Sequence, residues 1–174
     1  ILFLGGEYLA QLTETRFSDG LRTAKPKPAM TGQQLQDFLH RHISATAALG
    51  IRVLSCGTDR VELLMPHQPN CNHKNTVFGG STALGATVCG WALVHLNCPQ
   101  AEGNIVIQSS QIRYTAPAHG DLRLTARSPE PAAWAHFHKM YAERGKGKID
   151  LEIQALSDGL TTAAFNGRYV ALTA

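Results

Sequence analysis

One antiparallel sheet curled about a single long helix, an α+β arrangement, is the fold class that the sequence predicts, and three observations carry it. Gly79 to Asn97 contains no Asp, Glu, Lys or Arg and is apolar nearly all round, the pattern of a helix buried nearly all round. Ile149, Leu151, Ile153 and Ala155 alternate with Asp150, Glu152 and Gln154, the period of a half-buried strand. The remaining strand-like segments come in consecutive pairs joined by short turns, which implies antiparallel pairing and one face for a helix to cover.

The elements follow in order from Thr31, which can cap a helix whose apolar positions Leu35, Phe38, Leu39, Ile43 and Ala47 hold 3.6-residue spacing up to Gly50. Two short strands come next, about 51–55 and 60–65, joined at Gly57-Thr58-Asp59. Pro66 opens a polar loop, His67 to Thr76, before the long helix. On that helix Gly80, Ala83, Thr87 and Gly90 form a small-residue face, and Leu84, Val88 and Trp91 a bulkier stripe beside it. Strands are expected at about 105–116 and 122–127, then a short helix over 132–143. Asp158-Gly159 is a hairpin turn between the alternating strand and a last one, about 160–172. Before all of this, Lys25-Pro26-Lys27-Pro28 suits neither a helix nor a central strand. Residues 1–29 therefore read as an extension with a linker, and 30–174 as one domain.

Composition removes several classes of function. Apolar residues make up 44% of the 174, enough for a packed core, while charged residues are only 17% against roughly 25% in an average soluble protein. So uncharged a surface on so small a domain predicts that a second copy covers part of it. The net charge of +3, from 16 Lys and Arg against 13 Asp and Glu, comes with no long basic run, which argues against nucleic acid. The longest apolar stretch, 83–96, is interrupted by Thr87 and His95 and is shorter than the roughly 20 residues of a membrane span. The apolar residues at positions 1–4 have no basic region before them, unlike a secretory signal. Four cysteines without CxxC spacing point to reduced thiols in the cytoplasm and to no zinc site; no metal or cofactor is expected.

The residues that carry chemistry lie around the start of the long helix. A Gly-Gly pair opening a buried helix presents backbone N–H groups that have no intrahelical acceptor, and the helix dipole adds positive charge at the same point. Such a site polarises a carbonyl and stabilises an oxyanion.

The run Asn72-His73-Lys74-Asn75-Thr76-Val77-Phe78-Gly79-Gly80-Ser81 resembles the motif of the hot-dog superfamily of acyl-thioester enzymes. Trp91 in the helix and Ser109-Ser110-Gln111-Ile112-Arg113-Tyr114-Thr115-Ala116-Pro117 followed by Gly120-Asp121 support this. The Val-Phe-Gly-Gly-Ser variant is similar to the thioesterase-like family typified by the C-terminal domain of bacterial YiiD. The resemblance covers about 30–174. It implies a hot-dog fold, hydrolysis of acyl-CoA or acyl-carrier-protein thioesters, a site at Gly79 and Gly80, and a homodimer or dimer of dimers.

On that resemblance Asn72 holds the carbonyl or the attacking water, and His73 is a candidate general base. Phe78 stands where many relatives have histidine, and Thr87 where many have a carboxylate seven residues after the second glycine. Water activation then falls to His73 or to a network of Asn72, Ser81 and Thr87. Ser109 and Ser110 are expected to add hydroxyls across the dimer. Arg144, Lys146 and Lys148, interleaved with glycines, read as a basic turn for the phosphates of coenzyme A or a phosphopantetheine arm. The missing helix carboxylate keeps a second reading in play, a non-catalytic acyl-thioester binding module. A dehydratase of the same fold is the third.

Overall fold

The computed structural model describes residues 30–173; the extension at 1–29 lies outside the described residues. Helix α1 (Gly32–His42) opens on a capping box, in which the Thr31 hydroxyl accepts from the Gln34 N–H and the Gln34 side chain accepts from the Thr31 N–H. Ile43, at φ −128°, ends that helix, and a short α2 (Ser44–Ala48) follows in place of one continuous helix to Gly50. The break rotates the register, so Thr46 is buried and Ala47 faces solvent.

Six strands follow: β1 (Arg52–Cys56), β2 (Arg60–Met65), β3 (Ile105–Tyr114), β4 (Leu122–Arg127), β5 (Lys146–Ser157) and β6 (Leu160–Leu172). They form one antiparallel sheet in the order β1-β2-β4-β5-β6-β3. The long helix α3 (Gly79–Asn97) lies along its inner face, and α4 (Pro131–Arg144) packs beside β5. The hairpin between β5 and β6 turns at Asp158 and Gly159, both at positive φ (50° and 77°), as an Asp-Gly pair permits.

The core lies between α3 and the inner residues of the sheet: Val61, Leu63 and Met65 of β2, Leu122, Leu124 and Ala126 of β4, the alternating residues of β5, and Phe165 and Tyr169 of β6. Close approach of α3 to the sheet depends on Gly85 and Gly90. A Cβ at Gly85 would lie 2.6 Å from Leu124 Cδ1, and one at Gly90 2.5 Å from Tyr169 Cζ. The expected small-residue face is therefore redistributed. Gly90 belongs to the sheet side, whereas Gly80, Ala83, Leu84, Thr87 and Trp91 form a stripe that stays at least partly exposed. The helix is not buried all round, because among the described residues the sheet covers one side of it.

That stripe runs beside β3, an edge strand. Among the described residues β3 pairs with β6 alone, and Phe78, Val106 and Tyr114 near it are exposed. We expect light scattering at micromolar concentration to give twice the chain mass, because a second copy joining along β3 covers both the open edge and the stripe. A monomeric mass refutes this arrangement.

Candidate active site at the start of the central helix

The loop before α3 is built to deliver the chain to Gly79 in one geometry. Asn70 is buried and its Nδ2 donates to the carbonyls of Leu49 (2.9 Å) and Pro66 (2.7 Å), while its backbone carbonyl accepts from the Phe78 N–H at 2.8 Å. The His67 N–H donates to Asp121 Oδ1 at 2.9 Å, tying the loop to the turn before β4. Cys71 and Val77 then form an isolated bridge, and 72–76 extend beyond it as a turn.

Asn72 holds that turn. Its Oδ1 accepts from the Lys74 N–H at 2.8 Å, and its Nδ2 lies 3.1 Å from the Thr76 hydroxyl. The expected carbonyl or water contact competes with these bonds within its own loop. His73 sits exposed at the turn, on the far side of the bridge from Gly79.

The first turn of α3 leaves the N–H groups of Gly79, Gly80 and Ser81 without intrahelical acceptors, and the N-cap residue, Phe78, makes no side-chain capping bond. The positive end of a 19-residue helix is thus presented outward. Two aromatic rings flank it. A Cβ at Gly79 would come within 3.1 Å of both Cζ and Oη of Tyr114, and one at Gly80 would overlap the Phe78 ring. Glycine at both positions lets the protein's own rings lie against the helix start, in addition to the approach of a ligand that the motif suggested. Phe78 is 56% exposed and Tyr114 51%.

A cleft of about 430 Å³ opens at this point, lined by Val77, Gly79, Thr82, the 114–118 segment, Thr162 and Ala163. Its hydroxyls are committed inward. Tyr114 donates to the Gly79 carbonyl (2.7 Å), Thr82 to Phe78 (3.3 Å), Thr115 to Thr161 (2.8 Å) and Thr162 to Ala155 (3.2 Å). Burial pushes the Tyr114 phenol above its ordinary pKa, so it remains a donor. Among the described residues no Asp, Glu, His or Cys lines the cleft. Among the described residues the site offers donors to a carbonyl but no base of its own.

The other expected residues lie apart from it. Thr87 is two turns along α3, its hydroxyl donating to the Ala83 carbonyl at 2.9 Å. Strand alternation puts the two serines on opposite faces: Ser109 pairs with Arg168 on the outer face and Ser110 with Gly167 on the inner, in regular register after a bulge between Ile107 and Ser109. Only Ser110 faces the helix side. Lys146 and Lys148 are not a turn but the first residues of β5, on its outer face; Gly145 alone, at φ 65°, makes the turn. With His136, Met140 and Arg144 they line a groove of about 280 Å³. Lys148 pairs with Val170, seven residues along β6 from the cleft residue Ala163, roughly 23 Å away at about 3.3 Å per residue. A single chain therefore does not bring the lysines and Gly79 together. A larger outer-face concavity of about 700 Å³ carries the Asp150–Arg168 ion pair (2.7 Å) and lies across the sheet from α3.

Tyr114 and Asn70 are site residues that the sequence does not single out. Tyr114 had a signal, since it stands within the Ser109–Pro117 motif; Asn70 had none, because its role depends on carbonyls brought in by the fold.

The curled six-strand antiparallel sheet and the long helix it holds make this a hot-dog fold. More narrowly, the chain belongs to the family described as "Putative thioesterase (yiiD_Cterm)", which matches residues 32–173. Among solved structures it is similar to a Chlorobaculum tepidum protein of unknown function (27% identity, TM-score 0.78, 85% of this chain and 100% of that one). It is also similar to a protein of Shewanella oneidensis described as a "putative thioesterase" (30% identity, TM-score 0.71, 81% and 96%). The PaaI protein of Escherichia coli, from the phenylacetic acid degradation operon, shares the fold at 17% identity (TM-score 0.58, 84% and 96%). Among the described residues no helix is long and apolar enough to cross a membrane.

Proposed function

We propose that the protein hydrolyses acyl-CoA or acyl-carrier-protein thioesters, with the thioester carbonyl seated at the start of α3. The uncapped helix N-terminus opening into the cleft carries this reading. The carbonyl oxygen accepts from the Gly80 N–H, and the developing oxyanion gains from the helix dipole. Phe78 and Tyr114 supply apolar walls for the acyl chain. Water attacks the carbonyl carbon, its proton leaves to a base, and the C–S bond breaks to release the thiol and the acid. The cleft lacks that base, so we assign it to a group brought by the second copy. His73 is the candidate base, and Asn72, Ser81, Thr87 and Ser110 can form a network that orients the water.

The phosphate end fits the same assembly. If two β3 edges pair antiparallel, the start of one lies beside the end of the other, and the Lys146–Lys148 end of one sheet meets the Gly79 end of its neighbour. The groove then holds the phosphates of a substrate whose thioester sits in the other copy. The fully committed hydroxyls of the cleft also support a second reading, an acyl-thioester binding module without turnover.

A thiol-release assay over a panel of acyl-CoA and acyl-carrier-protein substrates tests both. Turnover is expected, and K146A/K148A should raise KM several-fold at low salt with kcat little changed, an effect that fades as salt screens the phosphates. Tight binding with no thiol released selects the binding module. A KM that ignores both lysines removes the groove from the site.

A further inference from the structure

We propose that Tyr114 is a positioning residue that aims and polarises the Gly80 N–H, the donor on which the hydrolase reading rests. Tyr114 closes β3 on its inner face, opposite Ala163, and its hydroxyl donates to the Gly79 carbonyl at 2.7 Å. That carbonyl and the Gly80 N–H are the two ends of one planar trans peptide. Fixing the oxygen fixes the direction of the hydrogen. A bond this short also draws electron density toward the carbonyl oxygen, which makes the N–H of the same peptide a stronger donor, as in any hydrogen-bonded chain. The oxygen has two lone pairs, so the phenol adds to the intrahelical bond instead of replacing it.

The hydroxyl reaches this oxygen because residue 79 has no side chain: a Cβ there would stand 3.1 Å from the phenol oxygen. Glycine at 79 and tyrosine at 114 are thus one device.

Holding the chain in place is not the task of this bond. The end of β3 is already tied by the Thr115 N–H to the Thr162 carbonyl (2.9 Å) and the Thr115 hydroxyl to Thr161 (2.8 Å). The helix start is tied by the Phe78 N–H to Asn70 (2.8 Å) and the Thr82 N–H to Phe78 (3.0 Å). Removing one phenolic oxygen leaves all four bonds, so its effect falls on the 79–80 peptide.

Y114F keeps the ring and deletes the donor, and two readouts follow it. The amide nitrogen of Gly80 responds to hydrogen bonding at the preceding carbonyl, so its 15N resonance should move upfield in Y114F while that of Thr115 stays. With a substrate the wild type hydrolyses, kcat should fall roughly tenfold and KM stay within about twofold, since the lost contact acts on the transition state. Incorporation of a fluorinated tyrosine, a stronger donor, should hold kcat at or above the wild-type value. An unmoved Gly80 resonance overturns the inference, as does a shifted resonance with unchanged kcat, or a loss confined to KM. A wild-type chain that releases no thiol overturns the hydrolase reading instead. The inference is then read from a carbonyl-bearing amide analogue of acyl-CoA: about threefold weaker binding by Y114F supports it, and equal affinity overturns it.

Discussion

Valine at position 80 should lower kcat by about 10²- to 10³-fold while the melting temperature stays close to that of the wild type. The loss is that of one oxyanion donor, because the branched side chain shields the N–H of its own residue. The fold tolerates it for a reason specific to this site. The new Cβ overlaps the Phe78 ring, with Cδ1 at 3.1 Å and Cζ at 3.2 Å, but that ring is 56% exposed and can swing into solvent. Helix propensity also favours valine over glycine by a few tenths of a kcal/mol. Kinetics and thermal melts on the same preparation check both halves. Wild-type kcat in Gly80→Val would move the chemistry away from the helix N-terminus altogether. A collapsed melting temperature would mean that Phe78 is held more firmly than its exposure indicates.

The elements with strong local signals were legible before any coordinates. The charge-free run gave α3 at Gly79–Asn97, and Asp158-Gly159 gave the hairpin between β5 and β6. Patterning was less informative where two periods overlap. Lys146 and Lys148 alternate with glycines, which reads as a turn, yet Gly147 is the inner residue of a strand because Phe137 of α4 fills the place of its side chain. The break at Ile43 had no residue signature, since Ile is neither Gly nor Pro and the helical spacing continues through it. At the site, the glycines and Phe78 were legible because their signal is a contiguous motif. What was not legible is partnership. Asn72 offers the same side chain to a substrate or to Lys74, and the bond to Lys74 follows from the path of the turn, which no local pattern encodes. Ser109 and Ser110, adjacent in a strand, must face opposite ways, and the bulge before them sets which one faces the helix. Whether the lysines and Gly79 share a substrate depends on a second copy, which no local pattern encodes.

Gly90→Ala should be the converse of the change at position 80: a substitution far from the cleft that costs stability. In a helix interior alanine is favoured over glycine by about 1 kcal/mol, so propensity alone predicts a gain. Packing reverses the sign. The added Cβ would lie 2.5 Å from Cζ and 2.7 Å from Cε2 of Tyr169, a side chain with no solvent exposure. Tyr169 has little room to retreat, because its side chain is fully buried and its hydroxyl is fixed to the Thr87 carbonyl at 3.0 Å. Overpacking of this kind costs about 1–3 kcal/mol, and loss of the buried hydroxyl bond adds about 1–3. After the propensity gain the net loss is roughly 1–5 kcal/mol, at its upper end a large share of the 5–15 that holds a typical domain folded. Urea denaturation should show the midpoint falling, and the melting temperature should drop by roughly 5–10 °C. Adding Tyr169→Phe removes the atom nearest the new methyl but not Cζ, so it should restore only part of the loss. A midpoint at or above the wild-type value would mean that α3 can lift off the sheet at Gly90, and that the small residue there is not what sets their separation.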